Sequence, residues 1–281
     1  MLHSLLRRAR TVAVLAVLVT AGALVSAASG AAGHRHAPAP DPSGVPMPVG
    51  NKPGWTQVFK DNFNGKRLDA KWLKYRGAVA GSAGGWWAAS QATVRKGELV
   101  LKTSQNAVAC TDPVSCPLFN DEVSGGVKSV FGFTYGKVLI RVRTKPVPDT
   151  DFLGILWPAS NVPPPEMDFA VEGGTTHLAT IGAILKYGAD ESSTLPDSVT
   201  ANAGKWHTLG VIWGPGEVQY TIDGRIWATE TNPNVSSVPM NIVLQAQTDC
   251  QAVPLQTCPV PLTAVEPNVD VDWVVAYSAQ A

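Results

Sequence analysis

Apolar and polar residues alternate along most of the chain beyond residue 54, the two-residue period of strands with one buried face. Gly97-Glu98-Leu99-Val100-Leu101-Lys102-Thr103 follows this pattern. In Lys137-Val138-Leu139-Ile140-Arg141-Val142-Arg143, the residues Val138, Ile140 and Val142 fall on one face and Lys137, Arg141 and Arg143 on the other. The segment 217–227 (EVQYTIDGRIW) reads as two alternating halves about Asp223-Gly224, a pair that tolerates the positive φ angles of a tight hairpin turn. Segments 206–213, 241–247 and 269–277 are further strand candidates, and no window after the first 27 residues keeps an i, i+3, i+4, i+7 apolar stripe. The 26 Gly and 22 Pro are spread in ones and twos, as many short turns require. The pattern predicts an all-β fold, a single antiparallel β-sandwich over residues 54–281.

The first 53 residues break the pattern. Arg7, Arg8 and Arg10 precede an uninterrupted small and apolar run from Thr11 to Val25, and Val25-Ser26-Ala27 offers a small-x-small cleavage site. This is the layout of a secretory signal peptide over residues 1–27, and the apolar run is shorter than the roughly 20 residues of a bilayer span. The expectation is a secreted, extracellular protein with no membrane attachment after cleavage. Residues 28–53 are rich in Ala, Pro and Gly and read as a linker or disordered tail; His34 and His36 within it are read as solvated.

Charge narrows the partners. The chain has 22 Lys+Arg against 22 Asp+Glu, and removing the three leader arginines leaves 19 against 22, about −3. No nucleic-acid partner is implied, because such a protein carries a basic excess to neutralise phosphates. A monomer is expected. Export also recasts the four cysteines, since Cys110 and Cys116 lie six apart and Cys250 and Cys258 eight apart in loop-like sequence. Short-loop pairings 110–116 and 250–258 are favoured, with the crossed connectivities open. The spacing is not that of a zinc site, and no metal is expected there.

Chemistry concentrates in residues 163–174, PPPEMDFAVEGG. On a strand, Glu166 and Asp168 share a face, while Met167 and Phe169 point the other way into a core. Adjacent carboxylates repel and push their pKa values apart, a cost that structure alone does not require. A solvated strand face is the plain explanation, and a pair of glycosidase carboxylates with a helper acid is the functional one.

Here the sequence resembles glycoside hydrolase family 16, whose signature is Glu-x-Asp-x-Glu or Glu-x-Asp-x-x-Glu. Residues 55–75 (WTQVFKDNFNGKRLDAKWLKY) are similar to the family's opening strand, Phe133-Thr134-Tyr135-Gly136-Lys137 to its Tyr-Gly strand, and Ile155-Leu156-Trp157-Pro158 to its Leu-Trp-Pro strand. Trp206-His207-Thr208 through Asp223-Gly224 is similar to its Trp-His-Thr hairpin, and Val271-Asp272-Trp273-Val274 to its closing strand. The resemblance implies a jelly roll of the concanavalin A-like lectin and glucanase type. It also implies that Glu166 is the nucleophile, Asp168 a carboxyl that hydrogen-bonds it, and Glu172 the acid/base.

The last assignment departs from the family spacing, because Glu172 lies six residues after Glu166 and the family offset is four or five. At about 3.3 Å per residue, an offset of four separates Cα atoms by roughly 13 Å, which inclined side chains narrow toward the ~5.5 Å of a retaining pair, whereas an offset of six gives roughly 20 Å. Either two extra residues bulge out around Ala170 and Val171, or Glu172 is not the acid/base. A second departure is Lys186-Tyr187-Gly188 where relatives carry a His before the aromatic residue and Gly, which would set a positive charge beside the carboxylates and lower their pKa values.

For sugar binding, the resemblance puts Trp86, Trp87 and Trp157 on or near the sugar-binding face, where their rings could stack on pyranoses, and Gln245 and Gln247 share a strand face that could hydrogen-bond hydroxyls. Trp55, Trp72, Trp206, Trp213, Trp227 and Trp273 are read as packing residues, and His207 as a structural hydrogen-bonder. No nucleotide or redox motif is present, and no cofactor is expected. Some relatives hold a structural calcium, for which Asp61 and Asp272 are conceivable ligands. The expected function is a secreted, retaining endo-hydrolase of a β-1,3 or mixed β-1,3-1,4 glucan. The alternatives are a glycan-binding protein on the same sandwich and a transglycosylase.

Overall fold

A computed structural model describes residues 41–78, 85–105, 122–145, 150–173, 179–188, 192–194, 198–248 and 268–280. The leader and the four cysteines lie outside the described residues. In chain order the strands are β1 (Trp55–Asp61), β2 (Trp72–Lys74), β3 (Gly77–Ala78), β4 (Gly85–Trp87), β5 (Ala92–Arg95), β6 (Glu98–Lys102), β7 (Ser104–Gln105), β8 (Glu122–Phe133), β9 (Gly136–Thr144) and β10 (Thr150–Pro158). They continue as β11 (Glu166–Gly173), β12 (Thr180–Tyr187), β13 (Ser192–Thr194), β14 (Val199–Thr200), β15 (His207–Gly214), β16 (Glu217–Ile222), β17 (Arg225–Thr231), β18 (Met240–Thr248) and β19 (Asn268–Ala279). One 3-10 turn over Ala89–Gln91 is the only helical element among the described residues.

The strands form two sheets. One runs β17-β16-β15-β9-β19-β6-β5, with β1 beside β19; the other runs β13-β12-β11-β10-β18-β8-β4-β3, with β14, β2 and β7 attached at its margins. Pairing is antiparallel, as expected, except that β4 lies parallel to β8. The alternation read in the sequence is what glues the sheets together. Val138, Ile140 and Val142 of β9 are buried against Phe152, Leu156, Met167, Phe169 and Leu185 of the facing sheet, in one continuous core. The β16–β17 turn is tight as expected, with Asp223 at φ 47° and Gly224 at φ 81°.

The chain ahead of β1 is tied to the outer face of the first sheet. Within the segment expected as a linker, the backbone N–H of Ser43 donates to Asp272 Oδ2 at 3.0 Å, and the carbonyl of Val45 accepts from Trp273 Nε1 at 2.9 Å. Met47 and Trp55 pack on Trp273, Val275 and Tyr277, and the Lys137 ammonium sits 4.7 Å from the centre of the Trp55 ring. Residues 41–53 therefore cover an aromatic outer face that a sandwich lacking them would expose to water.

Gly136 opens β9 at φ 149°, where an added Cβ would lie 2.0 Å from the carbonyl oxygen of Tyr277. No side chain fits against that backbone oxygen. Gly136→Ala is expected to cost at least about 2 kcal/mol, read as a lowered midpoint in urea denaturation.

Candidate active site

β11 carries the acids, and its position inside the second sheet decides their environment. Met167 and Phe169 are buried in the core, so Glu166 and Asp168 face outward, yet neighbouring side chains leave them only 7% and 2% exposed. Glu166 is directly opposite Lys186 of β12, whose Nζ lies 2.9 Å from Glu166 Oε1 and 3.7 Å from Asp168 Oδ2. Asp168 Oδ1 is buried with no hydrogen-bond donor among the described residues. Burial, and then the charge of Glu166, push the Asp168 pKa well above the usual carboxylate range. Lys186 acts in the opposite direction, as the sequence reading expects of a lysine there, but is outweighed. When protonated, Asp168 is an O–H donor beside Glu166.

A bulge sets the register of the second half of β11. Gly154 of β10 pairs with Ala170 and Ile155 with Asp168, so Phe169 has no partner of its own, and on the other side Asp168 pairs with Ile184 and Val171 with Gly182. Phe169 and Ala170 both lie in the core. This is one extra residue, where bringing Glu172 to the Glu166 face in the register of an offset of four calls for two. From Glu166 to Val171 the partner strand advances only from Lys186 to Gly182, so position 171 holds the register of an offset of four. Position 171 pairs with Leu153, which lines the cleft, and position 172 pairs with Phe152, which is fully buried in the core. The backbone thus brings Glu166 and Asp168 together and does not bring position 172 into their register.

Above these acids lies an open cleft of about 460 Å³. Four further expected residues line it, namely Trp87, Trp157, Gln245 and Gln247, and Gln245 Nε2 donates to Gln247 Oε1 at 3.1 Å. The backbone of Trp86 is in β4, and its side chain lies outside the described residues. The sequence reading passed over Tyr75, Arg76 and Lys128, which also line the cleft. Tyr75 meets the Trp87 ring edge-on, with centroids 5.1 Å apart, and lies over Gly126, where an added Cβ would approach its ring to 2.5 Å. Burial and the charge of Glu166 push the Tyr75 pKa upward, which keeps it a neutral phenol. No local motif marks these three residues, which the β2–β8 pairing and the order of β8, β18 and β10 carry to the cleft.

The remaining candidates fall elsewhere. His207 Nδ1 is 2.8 Å from Asp223 Oδ2 and its Nε2 is 3.1 Å from the Asn202 carbonyl, a structural arrangement at the end of β15. Asp61 accepts from Trp72 Nε1 at 2.8 Å and sits opposite the core residue Val274, whereas Asp272 lies beneath Ser43 on the outer face. The two do not share a site, and among the described residues no group of three His, Cys, Asp or Glu is placed to hold a metal ion.

A family model described as "Glycosyl hydrolases family 16" matches residues 82–251. The chain belongs to this family, and it is by that membership a glycoside hydrolase acting on O-glycosyl bonds. Its fold is similar to that of the endo-β-1,3-glucanase from Pyrococcus furiosus, at a TM-score of 0.67 and 18% identity over 84% of this chain and 100% of that one. It is also similar to the catalytic domain of an endo-1,3-β-glucanase (laminarinase) from Thermotoga petrophila RKU-1, at 0.65 and 17% over 81% and 99%. The Bacillus licheniformis β-glucanase gives 0.62 and 17% over 79% and 98%. At these identities the likeness is one of fold. A search of curated protein sequences finds no match.

The raised Asp168 pKa has a signed consequence for stability. Between the unfolded value of about 4 and the higher folded value, the unfolded chain has released this proton while the folded protein keeps it, so stability falls as pH rises through that window. Relative to Asp168→Asn, the wild type is expected to lose stability from about pH 4 upward and then level off, measured by urea denaturation at a series of pH values.

Proposed function

We propose that the protein is an exported hydrolase of a β-linked glucan that works with retention of configuration, with Glu166 as nucleophile and Asp168 as its hydrogen-bonding partner. The observation that carries this reading is the buried Glu166 and Asp168 pair on one strand face, at the floor of an open cleft lined by Trp87 and Trp157. Flat aromatic faces with glutamine amides beside them suit pyranose rings and their hydroxyls. Lys186 holds Glu166 by its 2.9 Å ion pair to Oε1, and Asp168 hydrogen-bonds the same carboxyl group. In the first step, a Glu166 oxygen bonds to the anomeric carbon as the glycosidic C–O bond breaks, and the departing oxygen takes a proton. Water then releases the sugar from Glu166. Export rests on the leader, and the substrate on the family and the cleft.

The proton donor to the departing oxygen is Glu172 by resemblance to the family. The register of β11 favours a second reading, because position 171, at an effective offset of four, is a valine that can give no proton. On that reading, cleavage is slow or absent and the protein holds a glycan.

Reducing-sugar release by the mature protein on laminarin and mixed-linkage glucan tests both. Under the hydrolase reading, the wild type cleaves one polymer, and Glu166→Gln lowers kcat by about a thousand-fold or more. A comparable fall in Glu172→Gln assigns the acid/base to Glu172. An inactive wild type that gains measurable release on Val171→Glu, and is retained by the polymer before that change, establishes the glycan-binding reading.

A further inference from the structure

The cleft has two electrically different ends. Lys128, Val243, Ile155 and Asp168 pair in turn across β8, β18, β10 and β11, and all four line the cleft, so they form one cross-strand row along its floor. At about 4.8 Å per strand, Lys128 stands roughly 14 Å from Asp168, a few sugar rings away along a chain laid across the strands. At the carboxylate end, the ammonium of Lys186 is taken up by Glu166 and Asp168. At the far end, Arg76 and Lys128 have no ion-pair partner among the described residues. Lys128 is oriented by a hydrogen bond from Nζ to Asn161 Oδ1, on the loop between β10 and β11, and Arg76 follows β2 on the same side of the cleft, further along β8 toward Gly126. None of the described residues lining this end of the cleft is an acid. Among the described residues these two cations stand without a counter-charge, on a chain whose totals, counting them, are equal at 22 basic and 22 acidic residues.

We propose that Arg76 and Lys128 form an anion-binding subsite, so that the polymer taken by this cleft is a β-linked polysaccharide carrying carboxylate or sulfate groups a few rings from the bond acted on. The planar guanidinium matches the paired oxygens of either group, and Lys128 adds a point charge held on its asparagine. The inference rests on the reading of the cleft as a polysaccharide site and specifies what that site selects.

Three polymers with one backbone separate the possibilities, namely plain, carboxymethylated and sulfated laminarin, with affinity measured by titration calorimetry at low and at high salt. The wild type is expected to bind at least one charged derivative about tenfold or more tighter than the plain polymer, and the stronger derivative tells carboxylate from sulfate. That preference shrinks in high salt. In Arg76→Gln/Lys128→Gln, whose fold is checked by a matching thermal melt, the ratio of charged to plain affinity falls to near one. Equal affinity of the wild type for all three polymers, or a preference that survives in the double variant, overturns the subsite while leaving the polysaccharide reading intact. Failure of the wild type to bind any of the three overturns both.

Discussion

Two neighbouring carboxyl groups almost shut off from water are the arrangement to which the rest of this sheet answers. Acids that share one buried strand face oppose each other's ionisation, an opposition that a neighbouring cation relieves and that raises proton affinity. Lys186, directly across from Glu166, supplies the cation, and burial with the charge of Glu166 raises the pKa of Asp168. Met167 and Phe169, inserted between the sheets, hold β11 in place and so determine which edge of the strand the acids occupy. The wall of Tyr75 and Trp87 depends on a further concession, the absence of a side chain at Gly126.

Much of this was legible in the sequence, because strand alternation is a strict parity. Val138, Ile140 and Val142 were assigned inward from their spacing and are buried, and Asp223-Gly224 announced a hairpin that the structure contains. The same parity located Glu166 and Asp168 on one face. It failed at the bulge for a physical reason: Phe169, Ala170 and Val171 are all apolar, so no polar residue marks which of them is the supernumerary one. A one-residue slip exchanges the two faces of a strand, and the fate of position 172 turned on that slip. Arg76 and Lys128 were silent for a different reason. They lie far from the acids in sequence, and only the order of β8, β18 and β10 aligns them with the cleft.

The family supplies the reaction class, while the particular side chains in this cleft shape how the chain uses it. A lysine beside the acids, a valine in the register of an offset of four on β11 and two cations lining the far end of the cleft are the features particular to this chain. Charge is therefore distributed along the groove rather than concentrated at the point of chemistry.

The strap over the outer face bears on where the folded unit begins. A boundary drawn from strand alternation falls at Gly54, but Val45 supplies the acceptor for the indole of Trp273, and Ser43 supplies a donor to a buried carboxylate. Severing the chain at residue 54 would leave that indole and that acid facing solvent or one another, on a sheet whose inner face is the core. Residues 41–53 hold their path through main-chain atoms at Ser43, Val45 and Pro48 together with the Met47 side chain, so a stretch that looks dispensable by composition is held by its geometry.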